Sequence, residues 1–145
     1  MSQLKCLLQS VPHANFQSLA LLVLRVVAGG AFMLHGWGKI QAPMSWMGAE
    51  APVPGFLQFL AAFSEFGGGL AWILGLLTPL ASLGLLATMT VAAAMHLIVR
   101  QDPWVSMTGG MSGEPALGYL TVALLLLAMG PGRFSLDAKI FGQRK

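Results

Sequence analysis

Residues 56–99 read FLQFLAAFSEFGGGLAWILGLLTPLASLGLLATMTVAAAMHLIV. The stretch is apolar almost throughout, and Thr78-Pro79 divides it near its middle. Proline cannot continue a hydrogen-bonded helix and biases the residue before it away from helical geometry. The stretch therefore predicts two membrane spans, about 56–77 and 79–99, joined by a very short turn into an αα-hairpin. Two further apolar segments flank it. One runs from about Leu19 to Lys39. The other runs from about Pro115 to Met129 and ends at Gly130-Pro131-Gly132. Each approaches the ~20 residues that cross a hydrocarbon core of ~30 Å. The expectation is an all-α membrane protein, a bundle of four transmembrane helices forming a single domain over residues 1–145. Residues 1–17 would lie at the interface and 130–145 would form a tail.

Composition agrees. Of 145 residues 56% are hydrophobic and only 9% charged, against roughly 25% charged in a soluble domain. The mean hydropathy is +0.73. Too few charges are present to coat a soluble surface, and scattered cations make no nucleic-acid patch. The one cysteine, Cys6, excludes an intrachain disulfide, a Cys-x-x-Cys pair and a thiolate metal cage. Lys5 before it does not fit a lipoprotein cleavage box. The first span carries Arg25 and lacks a small-x-small site, so it reads as a retained helix rather than a signal peptide.

An even number of spans puts both termini and the Thr78-Pro79 turn on one side, with Lys5, Arg133, Lys139, Arg144 and Lys145. Lys39 and Arg100 fall on the other, as do the acids Glu50, Asp102 and Glu114. The cation imbalance predicts cytoplasmic termini. His35 with Lys39 and His96 with Arg100 repeat one four-residue spacing at the outer ends of the odd-numbered spans, a trace of two repeated αα-hairpins.

An ionisable group inside hydrocarbon costs at least ~2.5 kcal/mol, so it normally faces protein or water. Arg25, His35, Glu65 and His96 are such groups. Arg25 lies deepest toward the cytoplasmic end, Glu65 near the midplane and the two histidines higher. Spacing places Arg25, Ala28, Phe32, His35 and Lys39 on one face of span one, and Gln58, Ala61, Glu65, Gly68 and Trp72 on one face of span two. Gly84, Thr88, Ala92, His96 and Arg100 form a small or polar row on span three, as expected of a packed face.

Two readings stand beside each other. Arg25 and Glu65 can form a buried ion pair that fixes the bundle, and each histidine can hydrogen-bond a nearby carbonyl. Alternatively, Glu65, His35 and His96 handle protons, with Lys39, Arg100 and Trp72 lining a ligand site. In that reading His35, Lys39, His96 and Arg100 share one outward-opening cavity suited to an anionic ligand or an acidic partner loop. Glu50, Asp102 or Glu114 would satisfy it internally otherwise. Trp37, Trp46 and Trp104 read as an interfacial belt. No metal-ligand spacing is present.

The run Arg25-Val-Val-Ala-Gly-Gly-Ala-Phe-Met-Leu-His35-Gly-Trp-Gly-Lys39 resembles the first-helix signature of the DoxX family. Glu65-Phe-Gly-Gly-Gly-Leu-Ala-Trp-Ile-Leu-Gly75-Leu-Leu-Thr78 is similar to its second, and His96 sits where many members carry a third-helix histidine. Gly130-Pro-Gly-Arg133-Phe-Ser135-Leu-Asp137 resembles its closing motif. The resemblance spans about residues 19–140. It implies a four-helix bundle in the bacterial inner membrane, with relatives ranging from a small subunit of thiosulfate:quinone oxidoreductase to non-enzymatic assembly factors. The loop from Gln41 to Pro54, which carries Trp46, is not explained by it.

Three functions follow as expectations. The first is a quinone-interacting subunit of a redox system, in which a partner supplies electrons because the chain lacks a flavin, iron–sulfur or copper signature. The second is a structural or assembly subunit whose polar set fixes the helices while its outer loops dock another protein. The third, weighted least, is a haem held by His35 and His96. A chain of this length would need a second copy for most alternating-access devices, so a homo-oligomer is also in view.

Overall fold

The computed structural model describes residues 8–48 and 50–143, and is helical through most of its length. Helix α1 spans Asn15–Gln41, α2 Gly55–Leu74 and α3 Thr78–Ala94, the last continuing as a π-helical turn over Met95–Val99. Helix α4 spans Glu114–Met129 and a short α5 spans Leu136–Ile140. Helices α1, α2 and α3 with its π turn are each long and apolar enough to cross a membrane, and α4 is a shorter apolar helix. Lys5, Cys6, Arg144 and Lys145 lie outside the described residues.

The helices pack in chain order, α1 on α2, α2 on α3 and α3 on α4, while α1 and α4 meet only lightly. Apolar side chains gain little from leaving lipid for protein, so close backbone approach must hold such a bundle. Glycine supplies it at the first seam. A Cβ added at Gly29 would lie 2.6 Å from the Gly69 carbonyl, and one at Gly36 2.7 Å from the Phe66 nitrogen. Larger groups fill the centre of the bundle. Phe32, Trp72, Leu85 and Leu126 are nearly or fully buried, and the Phe32 and Trp72 rings meet edge to face at 5.5 Å.

The buried stripe of α1 runs through Ser18, Leu21, Arg25, Ala28, Phe32 and Gly36, so His35 falls outside it. On α3 the buried positions are Ser82, Leu85, Met89 and Ala93. The predicted row from Gly84 to Arg100 is therefore not the packed face. Its first four residues lie half-buried beside that face and Arg100 is exposed. Small residues suit close contact, but α3 meets the centre of the bundle, where Leu85 and Met89 are needed to fill space.

Helix α2 stops at Leu74, short of the expected 77. Gly75 takes the left-handed conformation (φ 63°), and the Leu76 N–H donates back to the Ala71 carbonyl, the pairing of a glycine-terminated helix. Leu77 follows, also left-handed at φ 49°, and Pro79 opens α3. The segment after α4 is more ordered than a simple tail. Ser135 caps α5 by accepting the Ala138 N–H, and the Ser10 N–H donates to the Gly142 carbonyl at 3.1 Å. Both described chain ends and the α2–α3 turn therefore lie at one end of the bundle.

Candidate functional site

Polar side chains gather at the two ends of the bundle, and the two gatherings differ in kind. At the end carrying the α2–α3 turn, Arg25 is fully buried. Its guanidinium donates to the carbonyls of Trp72 at 2.9 Å and Phe134 at 2.6 Å. The Asp137 carboxylate, also fully buried, accepts the N–H groups of Leu77 at 2.7 Å and Thr78 at 2.9 Å. The Asp137 N–H in turn donates to the Gly75 carbonyl. This is a lock: the C-terminal segment ties α1 to the α2–α3 turn. Helix ends leave carbonyls and amides without intrahelical partners. A bidentate cation meets the first kind and a carboxylate at a helix start the second.

The predicted Arg25–Glu65 pair does not form. The carbonyls at the end of α2 lie level with Arg25, whereas Glu65 sits two turns or more above them. Glu65 pairs instead with Lys39, whose Nζ stands 2.6 Å from each carboxylate oxygen. The glycine contacts that press α1 onto α2 turn Lys39 inward. The Trp46 indole covers that ammonium, its ring centre 4.6 Å away, and donates its N–H to the Gln58 carbonyl. Gln58, 4% exposed, accepts the Met47 N–H and donates to the Val53 carbonyl. The loop between α1 and α2 is thus stitched down over the ion pair, which gives Trp46 a role beyond an interfacial belt.

The predicted cavity of His35, Lys39, His96 and Arg100 is divided among separate partners. His96 lies in the π turn, and its Nδ1 is 2.7 Å from Asp102 Oδ2. The Asp102 N–H donates to the His96 carbonyl, and the chain turns through Gln101 at φ 56°. Arg100 reaches the Met111 sulfur at 3.2 Å. Asp102 and Glu65 thus satisfy internally two of the four groups predicted to share one ligand. Trp72, predicted to line a ligand site, is fully buried and donates its indole N–H to Ser82 Oγ at 3.0 Å. It is a core residue. The equivalence of the two histidine–cation pairs does not extend to their surroundings.

His35 differs from the other three. It is exposed on the outer part of α1, about 9 Å before the helix end by rise per residue. Among the described residues its neighbour is the Tyr119 ring on α4, edge-on at 6.2 Å, and no hydrogen bond engages the imidazole. Tyr119 also packs on Phe32, centre to centre 4.7 Å. These rings line the lightly packed seam between α1 and α4.

The model of the family described as DoxX matches residues 20–98. The chain belongs to the DoxX family. It is also similar to the inner membrane protein YqjF of Escherichia coli (strain K12), 33% identical over 132 residues that cover 85% of this chain and 93% of the relative. No solved structure gives a significant match. In this DoxX protein, Arg25, Gly75, Thr78 and Asp137 of the quoted motifs meet in the lock, and Lys39 and Glu65 meet over the first helix seam. Sequence reasoning gave no role to Gln58, Tyr119 or Asp137, and named Asp102 only as one of three acids able to satisfy the outer cluster. Only Asp137 carried a local signal, as an acid in the first turn of a serine-capped helix.

Proposed function

We propose that this integral membrane protein serves in the bacterial inner membrane as a quinone-interacting subunit of a redox system, with a partner protein supplying the electrons. It is one membrane domain with both termini cytoplasmic. The observation that carries the reading is His35, an exposed imidazole within a membrane span that no hydrogen bond engages among the described residues. A polar group at that depth requires a partner. Along the α1–α4 seam it has the company a lipid-soluble ring demands, with the Tyr119 ring, backed by the buried Phe32, as an apolar wall and the tyrosine hydroxyl as a second hydrogen-bonding group. A quinone carries two electrons and two protons between membrane enzymes. His35 donates to or accepts from an oxygen of its ring, depending on redox state, because a neutral imidazole does both. His96, held by Asp102, passes protons toward the outer surface, since a carboxylate at Nδ1 leaves Nε2 as the accepting atom. The chain's single cysteine precludes a cysteine-ligated iron–sulfur cluster, so electrons arrive from outside.

The test is photoaffinity labelling with an azidoquinone in nanodiscs. Labelled peptides from α1 and α4, with labelling reduced about three- to tenfold in His35→Ala, support the reading; one hydrogen bond is worth about 0.5–1.5 kcal/mol. Equal labelling of wild type and His35→Ala, or labels spread over all helices, defeats it.

A structural or assembly role is the second reading, favoured by the lock. Arg25, Asp137, Lys39 and Glu65 are all engaged by groups of the chain itself, and the α1–α2 loop is fixed on Gln58. Co-purification of a stable partner that survives His35→Ala and His96→Ala together would select it.

A further inference from the structure

At the end of the bundle that carries both described chain ends, an open groove of about 410 Å³ lies between the start of α1 and the segment after α4. Its walls are Asn15, Phe16, Leu19, Arg133 and Phe134. It stands apart from the His35 seam and borders the lock, whose Arg25 guanidinium donates to the Phe134 carbonyl. Phe16 is 82% exposed, and with Leu19 and Phe134 it forms an apolar trough running from the helix end into the span. Arg133 stands at its mouth, over the Phe134 ring at 5.5 Å, with one N–H given to Asn15 Oδ1. A guanidinium has five donors in a rigid fork, so most of that fork remains for another acceptor.

Among the described residues no carboxylate lines the groove. The nearby acid, Asp137, is fully buried and holds the Leu77 and Thr78 amides. Lys139, exposed on α5, adds positive charge at the same end. The arrangement is a forked cation at the height where α1 begins and α4 has ended, with an apolar trough leading inward. Arginine at such a site pairs bidentately with phosphate.

We propose that this groove binds an anionic phospholipid, its headgroup phosphate on Arg133 and the start of an acyl chain along Phe16, Leu19 and Phe134. A soluble phosphate would use the arginine but leave the trough exposed. A lipid uses both, and charge complementarity selects an anionic lipid over a zwitterionic one.

Native mass spectrometry of the detergent-purified full chain tests this with phosphatidylglycerol, phosphatidylcholine and inorganic phosphate, each added separately. The expected result is retention of one phosphatidylglycerol at least tenfold in preference to phosphatidylcholine, with no adduct from inorganic phosphate. Arg133→Gln should remove the preference, and Arg133→Lys should keep only part of it. Should Arg133→Gln not fold, Phe16→Asp serves, because an acid in the first turn of a helix is well tolerated and repels the headgroup. Arg100→Gln, at the opposite end, should leave retention unchanged. Equal retention of the two lipids overturns the proposal. So does a preference surviving in Arg133→Gln or, where that variant does not fold, in Phe16→Asp. Phosphate binding as strongly as phosphatidylglycerol would show an anion site without a lipid and overturns it as well.

Discussion

Lys39 Nζ lies 2.6 Å from both carboxylate oxygens of Glu65, joining α1 to α2 across their glycine seam. The partners are unequally exposed, 26% for the lysine side chain and 5% for the glutamate. Removing one therefore does not mirror removing the other. Lys39→Met strands a buried carboxylate, which costs about 3–5 kcal/mol where burial is good. Glu65→Gln frees a lysine whose long stem can reach the interface, and loses a charged hydrogen bond worth about 1.5–3 kcal/mol. Thermal melting in detergent should rank Lys39→Met below Glu65→Gln, with the double variant above Lys39→Met. Arg25→Gln should add to Glu65→Gln without coupling, because the two residues do not touch.

Asp137 is the matching element at the other end. Asparagine there can accept from one amide but offers an N–H₂ to the second, which leaves a buried N–H unsatisfied at about 1–3 kcal/mol. Asp137→Asn should lower the melting temperature, and Asp137→Ala should lower it further. Gly75→Ala should be more damaging than either, since its Cβ would run into the Arg25 guanidinium and lie 2.5 Å from Ser135 Cβ. A wild-type melt for Gly75→Ala would mean that the lock does not form as described.

The glycine seam makes a sharper comparison between neighbours. A Cβ at Gly29 would meet the Gly69 carbonyl at 2.6 Å, while one at Gly30 meets nothing within 4 Å. Gly29→Ala should therefore separate α1 from α2 and reduce folded yield. Gly30→Ala should melt at or slightly above wild type, because alanine is favoured over glycine in a helix by about 1 kcal/mol. Equal effects at the two positions would show that backbone contact does not hold this pair.

The helices were legible because apolar length and the Thr78-Pro79 break depend on local chemistry alone. The partners of the buried charges were not. Depth counted along each span placed Arg25 and Glu65 in the membrane, but depth does not say which helix a side chain turns toward. That rotation is set by where α1 and α2 touch, at Gly29, Gly36 and Gly69. Arg25 also satisfies backbone carbonyls, and carbonyls carry no signature in a sequence. Asp102 was in view as one acid among three loop acids. Its selection by His96 depends on the π turn and on Gln101 at φ 56°, a conformation nothing in that residue type announces. Tyr119 was overlooked because a single tyrosine in an apolar span reads as core until its neighbour is known.

Charge predicts the membrane orientation, which is open to direct measurement. Counted along the sequence, Lys5, Arg133, Lys139, Arg144 and Lys145 fall on the side of the termini, and Lys39 and Arg100 on the other. The structure strengthens the imbalance, because Lys39 is neutralised by Glu65. Arg133 and Lys139, by contrast, are exposed and form no ion pair among the described residues. The positive-inside rule then predicts cytoplasmic termini. In a Cys6→Ser background, a cysteine at exposed Ser45 in the α1–α2 loop should react with a membrane-impermeant maleimide applied to spheroplasts. A cysteine at exposed Gln143 should react only after the membrane is broken. Gln143 labelling from outside with Ser45 protected would reverse the orientation. It would also move the Arg133 groove to the outer leaflet and the His96–Asp102 pair to the cytoplasmic face.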